Sequence, residues 1–198
     1  MKKILFVLIS FLLGISMQAQ TARQVLDKTA AVVSAQNGMT AKFNIKGSQL
    51  QSSGTIAVKG KKFQATTPQA TIWFDGKTQW TYMKKNDEVN VSTPSESQLA
   101  AINPYNFIYL YKKGYSYTSE KVHNNYVVHL TATDKKKPIQ EMYITVLQKT
   151  YVPSQIRYRT SKGWTTIDIT NFKAVKLSDG TFRFNSKDFP TAEVIDLR

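Results

Sequence analysis

A row of short extended segments separated by turn signals, between Gly54 and Ser92, constrains the fold of this chain most strongly. β-Branched and aromatic runs alternate there with the pairs Lys59-Gly60 and Asp75-Gly76 and with a polar turn at residues 84–87. An Asp-Gly pair between two such runs favours a hairpin with a type I′ turn, because that turn requires φ > 0 at both central residues. The stretch therefore predicts an antiparallel meander rich in aromatic residues.

The rest of the chain predicts one helix before this meander and further strands around it. Thr21 to Ala35 carries apolar residues on one face and predicts a helix, and Met39 to Leu50 predicts the first strand. Strands resume after Gly114, and Phe182 and Phe184 are expected to begin a terminal strand or hairpin. The predicted fold is mainly β (α+β). It is a curled antiparallel sheet of about 11 strands that forms an incomplete β-barrel, closed by the N-terminal helix and short helical lid segments.

The lid segments are expected between Thr93 and Tyr111, where the strand pattern is interrupted. Pro94 to Ile102 predicts a short helix that ends at Asn103-Pro104. The apolar and aromatic run from Tyr105 to Tyr111 is compatible with a buried strand or with a second short helix. The Asn-Pro before it and the Lys-Lys-Gly after it favour the helix.

Residues 1–19 have the pattern of a secretory signal peptide. Lys2 and Lys3 precede an apolar run from Ile4 to Leu13, and Ala19 is a small residue at a plausible cleavage site. An uncleaved N-terminal anchor is the alternative, although the apolar run is shorter than a membrane span. We expect residues 20–198 to form a single domain in the bacterial periplasm. Since the chain has no cysteine, we expect it not to be lipidated itself.

Basic residues outnumber acidic ones, and the formal net charge is +14 at pH 7. Many lysines lie at predicted turns, among them Lys61, Lys84 and Lys136. Solvated hairpin tips are one interpretation of this pattern. A rim that faces a membrane or an acidic partner is the other. Export argues against nucleic acid as the partner.

Residues that carry catalytic or metal chemistry are scarce. The two histidines, His123 and His129, do not have the spacing of a metal site, and no metalloprotease, serine-hydrolase, P-loop or dinucleotide motif occurs. We therefore expect no enzyme activity, no metal and no cofactor. A hydrolase of envelope polymers, the least favoured alternative, would need two carboxylates that face each other in a cleft. Ten Tyr, ten Phe and three Trp remain, and they favour an apolar cleft that holds a lipid.

Several groups of residues together resemble the periplasmic outer-membrane lipoprotein carrier (LolA-like) family. They are Gly54, Ile56, Val58 and Phe63; Asp75 to Thr78 with Trp80 and Tyr82; and Asn103 to Phe107. The last part of the chain is similar to the end of the family pattern at Phe182-Arg183-Phe184, Asp188-Phe189-Pro190 and Val194-Ile195-Asp196. The resemblance extends over nearly all of residues 20–198, in the same order of elements.

The resemblance implies an incomplete β-barrel with a helical lid over an apolar cavity. It also implies a non-catalytic, monomeric carrier that ferries acylated lipoproteins from the inner to the outer membrane. An ATP-driven inner-membrane transporter would supply the cargo, and an outer-membrane acceptor would receive it. In proteobacterial members an arginine bonds the lid helices. Gly60 stands at that position here, so Lys61 and Lys62 are the candidates for a lid latch.

The alternative function is that of a non-catalytic envelope protein with a similar half-barrel that binds another lipid or senses lipoproteins. A structural or sensing protein of this kind would have a half-barrel core fully packed by its own side chains. The candidate acyl-binding residues are apolar members of the first strand, the meander and the lid: Phe43, Ile45, Ile56, Val58, Phe63, Ile72, Phe74, Trp80, Tyr82, Phe107 and Leu110. Because a shift of one residue in register exchanges the two faces of a strand, Trp73 would replace Phe74 in this set if the register differs.

Overall fold

The computed structural model describes residues 22–34, 36–48, 51–95 and 110–198. Residues 22–33 form helix α1. The strands in this described part are β1 (Met39–Gly47), β2 (Gln51–Lys59), β3 (Lys62–Thr66), β4 (Ala70–Phe74), β5 (Gln79–Met83), β6 (Glu88–Ser92), β7 (Tyr115–Val122), β8 (Asn125–Ala132), β9 (Glu141–Leu147), β10 (Pro153–Thr160), β11 (Gly163–Ala174) and β12 (Glu193–Asp196). Short 3₁₀ turns lie at residues 110–112, Asp179–Phe182 and Ser186–Asp188.

All of these strands belong to one 12-stranded sheet in the order β12-β6-β5-β4-β3-β2-β1-β11-β10-β9-β8-β7. β1 to β6 form one antiparallel meander and β7 to β11 form another, and the two join where β1 pairs antiparallel with β11. The sheet curls without closing into a barrel, with β7 and β12 at its edges. The predicted curled antiparallel sheet is confirmed, with 12 strands instead of about eleven.

The two faces of the sheet are set by alternation along each strand. On β1, Met39 and Phe43 are buried while Lys42, between them, is exposed. Strand pairing carries this alternation across the sheet, because Val58 of β2 lies opposite Met39 and Phe63 of β3 lies opposite Val58. Residues opposite each other in a ladder share a face. We call the face with Met39, Val58 and Phe63 the inner face, and the face with Lys42 the outer face.

Helix α1 packs its apolar stripe into the same buried cluster as the inner-face residues of the sheet. Val25, Leu26 and Val33 are at most 3% exposed. Two hydrogen bonds join the helix to the rest of the chain. Lys28 Nζ donates a hydrogen bond of 3.1 Å to Tyr151 Oη, and the Tyr111 hydroxyl donates to the Asp27 carboxylate. The helix predicted for Thr21 to Ala35 is thus present over the described residues.

The β4–β5 connection differs from the predicted type I′ turn. Phe74 pairs with Gln79, so the loop holds four residues, and of these Gly76 adopts a positive φ of 102°. The Asp75 carboxylate instead accepts hydrogen bonds from the amides of Lys77 and Thr78, at 3.1 and 2.9 Å. Burial raises the pKa of Asp75, but these amides and the Arg183 guanidinium outweigh burial and hold the pKa below its usual value.

After β11, residues 175–198 cross the outer face of the first meander; we call them the C-terminal strap. Phe182 is fully buried against β3 and β4. The rings of Phe184 and Phe189 lie 5.7 and 5.6 Å from the ring of Trp73, and Phe189 also lies 4.6 Å from the ring of Tyr82. The strap therefore gives the sheet a second apolar core, on the face opposite α1.

The strap ends in β12, which pairs parallel with β6 and places Val194 opposite Val89. The prediction that Phe182 and Phe184 begin a terminal strand or hairpin is wrong, because Phe182 closes a 3₁₀ turn and Phe184 lies in irregular structure. Both side chains are held by ring packing and burial instead of by a strand ladder. The strand expected within Ala192 to Leu197 is present as β12.

The predicted lid helix over Pro94 to Ile102 lies almost wholly outside the described residues, as does most of the Tyr105 to Tyr111 run. At the end of that run, the described residues 110–112 form a 3₁₀ turn. Within the described part of the chain, no helix has the length and apolarity needed to cross a membrane.

Candidate functional site

The apolar inner face of the first meander brings together seven of the predicted acyl-binding residues. The ladder places Ile56 opposite Ala65, Ala65 opposite Ile72, and Phe63 opposite Phe74. Together with the alternation of β1, this register puts one side of four neighbouring strands on a single surface. We call this surface the inner wall; its members are Phe43, Ile45, Ile56, Val58, Phe63, Ile72 and Phe74.

Burial divides the inner wall into a packed centre and a more accessible part. Ile56 and Val58 are 2% exposed and Phe63 is fully buried, and all three belong to the buried cluster that also contains the apolar residues of α1. The rings of Phe63 and Phe74 contact each other with centroids 5.6 Å apart. Ile45 and Ile72 are only partly buried. These two residues are thus the more accessible part of the inner wall, whereas contact of a ligand with the centre would require packed groups to move.

Trp80 and Tyr82 do not share this wall. In β5, Thr81 is the residue opposite Ile72, whereas Trp80 and Tyr82 lie opposite Trp73 and Thr71. They therefore occupy the outer face, where Tyr82 packs under Phe189 of the strap. Their predicted place beside Phe74 is wrong. β4 has apolar residues on both faces, so alternation alone could not distinguish them. On β5 the aromatic residues form one face, but the sequence does not reveal that this face packs under the strap.

Of the two predicted acyl-binding residues in the lid, Leu110 is described by the structure and Phe107 is not. Leu110 is partly buried and packs against the inner cluster, and the adjacent Tyr111 is 4% exposed. The Tyr111 hydroxyl bonds to Asp27 of α1. The chain that follows the predicted lid is therefore attached to α1, which belongs to the same buried cluster as the inner wall.

The candidate latch lysines point away from this wall. Lys61 is exposed in the two-residue β2–β3 turn, next to Gly60 with φ 58°. Lys62 Nζ lies 3.0 Å from the carboxylate of Asp179 in the strap, and Lys59 Nζ contacts the same carboxylate at 3.0 Å. Hydrogen bonds from Lys62 and Lys59 lower the pKa of Asp179. Lys62 thus fastens the strap to the outer face; any contact with residues 96–109 lies outside the described part.

The second meander also contributes to the inner surface, and the predicted site omitted it. Its inward residues form the same buried cluster as the inner wall: Val128, Leu130, Met142, Ile144, Val146, Ile156, Ile167 and Ile169. The alternation Met142, Ile144, Val146 was the available signal. The pairing of β1 with β11 that joins the two halves has no local signature in the sequence.

A polar margin borders the inner wall on β5. Gln79, only 8% exposed, shares the inner face with Thr81, and its amide nitrogen donates to the Thr81 hydroxyl at 3.1 Å. The Gln79 Oε1 atom is buried without a hydrogen-bond partner. On α1, the buried Thr29 hydroxyl is likewise unpaired. Buried polar atoms normally find partners, and these two find none within the described residues.

Metal-type clusters are not found in the part of the chain that the structure describes, where no three His, Asp or Glu side chains converge. His129 instead lies 3.0 Å from Glu141 on the outer face. His123, with φ 54°, occupies the β7–β8 turn.

Comparison with known proteins agrees with this architecture. Residues 12–162 match the family described as outer membrane lipoprotein carrier protein LolA. The chain belongs to this LolA family. The name of the family describes carriage of outer-membrane lipoproteins. No curated protein matches the sequence.

A solved structure shares the fold of this LolA-family chain, and two others are similar to it, all at low sequence identity. An uncharacterized conserved protein from Thermus thermophilus is 12% identical with a TM-score of 0.62, covering 89% of this chain and 99% of that one. An outer membrane lipoprotein-sorting protein domain from Vibrio parahaemolyticus, described as putative in its source, is 12% identical, with TM-score 0.48 and coverages of 83% and 97%. A LolA superfamily protein from Nitrosomonas europaea is 14% identical, with TM-score 0.45 and coverages of 82% and 97%.

Proposed function

We propose that this protein is a periplasmic carrier that holds the acyl chains of lipoproteins on its inner wall and ferries them from the inner to the outer membrane. The observation that carries the proposal is the apolar inner surface of both meanders, which forms one buried cluster with α1, in a chain of the LolA family. An ATP-driven inner-membrane transporter would load the carrier, and an outer-membrane acceptor would unload it.

The physical requirement is an apolar surface that can be uncovered and covered again. Each methylene removed from water contributes about 0.8 kcal/mol, so an acyl chain needs a wall without charges along its length. The inner wall meets this requirement. The packed centre implies that α1 moves outward on loading, so that cargo replaces helix contacts with acyl contacts. Because the helix contacts are lost when the acyl contacts form, the net affinity of the carrier for its cargo is limited, and the cargo can be released.

Two substitutions on neighbouring residues of β1 test which face binds. Ile45→Lys places a charge on the accessible part of the inner wall, and Asn44→Lys places the same charge on the outer face, opposite Asp168. We expect Ile45→Lys to abolish binding of a fluorescent fatty acid, while Asn44→Lys retains it. Equal effects of the two variants would show that the inner wall is not the binding surface.

Carriage itself is tested by adding the protein, as residues 20–198, to spheroplasts that display an acylated lipoprotein on the inner membrane. We expect lipoprotein to appear in the medium as a soluble complex with the protein. The protein purified from a bacterial periplasm should also yield acyl chains by mass spectrometry. Absence of both results, with no fatty-acid binding, would overturn the proposal.

The alternative, a related envelope protein for another lipid, is favoured by one observation. Lys62, the candidate for the lid latch, is engaged by Asp179 of the strap. If Lys62 does not hold the lid, the lid is controlled differently from that of family members with the latch arginine, and such a protein would suit a different lipid. Recovery of a free lipid without any lipoprotein, both from the periplasm and in the spheroplast assay, would favour this alternative.

A further inference from the structure

The outer face of three neighbouring strands in the middle of the sheet is cationic. Its exposed basic residues are Lys42 and Lys46 of β1, Arg157 and Arg159 of β10, and Lys173 of β11, and the half-buried Asp168 of β11 lies among them; we call the five basic residues the outer cationic face. No salt bridge within the described residues involves the three lysines. Arg159 is 3.0 Å from Glu141, whereas no carboxylate of the described residues forms an ion pair with Arg157. Most of this charge is therefore available to an anionic partner.

Aromatic rings lie among these cations. The guanidinium of Arg157 is 4.2 Å from the ring centroid of Trp164, and that of Arg159 is 5.8 Å from it. The Tyr143 ring lies 6.0 Å from Trp164 and is stacked on His129 at 4.3 Å. The rings are partly exposed. Such a mixture of Trp, Tyr and Arg is typical of protein surfaces at the headgroup level of a membrane.

A pocket of about 320 Å³ opens on the same face between β1, β2 and β11. Lys42 and Lys173 lie on its rim, and Thr40, Thr55 and Asn171 add hydroxyl and amide groups. It adjoins an irregularity in the ladder, because the pairing shifts between Thr40 and Lys42. Two ammonium groups beside small hydrogen-bond donors are suited to the oxygens of a phosphate.

We propose that the outer cationic face docks on a membrane containing anionic phospholipid, with a lipid phosphate in this pocket and Trp164 at the headgroup level. The cations are spread over adjacent strands of an open sheet face, which fits a broad array of headgroups better than one extended acidic peptide. The inner wall faces the opposite way, so docking leaves it free. The proposal concerns a different surface from the lipid-carrying one and holds for any cargo.

Vesicle cosedimentation of the chain from residue 20 to residue 198 tests this docking. We expect binding to vesicles that contain phosphatidylglycerol, loss of that binding at high salt, and none to pure phosphatidylcholine vesicles. Each lysine near an anionic surface is worth about fivefold in affinity. The variant Lys42→Gln/Lys46→Gln/Lys173→Gln should therefore bind on the order of 100-fold more weakly.

A control variant removes the same charge elsewhere, at exposed turn lysines: Lys85→Gln/Lys135→Gln/Lys149→Gln. Its affinity should fall only a few-fold, through the loss of net charge. Equal losses for the two variants would overturn the proposal, as would equal binding to neutral vesicles or no binding at all. Binding to poly-glutamate but not to vesicles would assign the surface to an acidic protein and equally overturn it.

A local measurement separates docking from acyl binding. Brominated phosphatidylglycerol should quench tryptophan fluorescence in the wild type and much less in Trp164→Phe. The inner-wall variant Ile45→Lys should bind vesicles as the wild type does, even though it fails to bind fatty acid. Loss of vesicle binding by Ile45→Lys would show that insertion through the inner wall, not the outer face, is responsible.

Discussion

Replacing Phe182 by alanine separates the two roles that the structure gives to the faces of the sheet. Phe182 is fully buried in the strap, on the outer face of β3 and β4, and takes no part in the inner wall. Truncation of a fully buried phenylalanine costs about 3–5 kcal/mol. A domain of ordinary stability has about 5–15 kcal/mol to lose, so the variant should fold at low temperature.

Urea unfolding followed by tryptophan fluorescence measures this loss, because Trp73 is in ring contact with Phe184 and Phe189 of the same strap. We expect the unfolding midpoint to fall with little change in the slope of free energy against urea, since the same surface is exposed on unfolding. Fatty-acid affinity of the folded variant should remain that of the wild type.

Ile72→Ala is the matched change on the inner face, and it should have the reverse effect. Ile72 is only partly buried, so its truncation costs less stability than that of Phe182. The lost methyl and methylene contacts with an acyl chain should weaken binding by about 1–2 kcal/mol, or about 5- to 30-fold. The assignment of faces is refuted if Phe182→Ala weakens acyl binding as much as Ile72→Ala, or costs under about 1 kcal/mol.

Three further changes test the packing of the sheet and strap. Gly54→Ala should destabilise the protein by about 1–3 kcal/mol in urea unfolding, because a Cβ atom there would lie 2.0 Å from the Thr66 carbonyl oxygen. Asp75→Asn should destabilise the protein by up to about 1 kcal/mol at neutral pH, through loss of the charge that pairs with Arg183. Because the folded pKa of Asp75 lies below its usual 3.8, the difference between the two proteins should persist above that value and vanish as the pH falls through the folded pKa. Asp179→Ala should accelerate proteolytic cleavage within residues 175–198, measured by mass spectrometry, because it removes both lysine contacts.

Each of these changes has a direct check. Gly60→Asn is the control for Gly54, because nothing lies within 4 Å of a Cβ atom at Gly60 and asparagine tolerates its positive φ. Equal destabilisation by the two glycine variants would contradict the steric explanation. A difference between wild type and Asp75→Asn that grows at low pH would contradict the sign of the pKa shift. Unchanged cleavage of Asp179→Ala would show that ring packing alone holds the strap.

Local turn chemistry made much of the fold predictable. Lys59-Gly60 marks a two-residue connection, and the runs on either side of Asp75-Gly76 become β4 and β5. These signals involve residues close in sequence, so they need no knowledge of the rest of the molecule. The two faces of β1 could also be predicted from its alternation, because one face is exposed to solvent and carries Lys42 and Lys46.

The faces of β4 and β5 were not predictable in this way. Trp73 and Phe74 are both buried, on opposite faces, because α1 packs over one side and the strap over the other. When both sides of a strand are covered, its sequence loses the contrast between apolar and polar positions. The strap itself was unforeseen, since the pairing of β12 with β6 is parallel and distant in the chain.

The pairing of β1 with β11 has a consequence for how the molecule is assembled. Each meander can form from neighbouring segments, but Met39 finds its partner Ala174 only after nearly the whole chain is present. Closing so long a loop is slow compared with forming hairpins. Until that junction forms, β1 and β11 are both unpaired edges on that side, and such edges promote aggregation. The rate of folding, and the interval in which a holding chaperone would be needed, should therefore depend on this one junction more than on any hairpin.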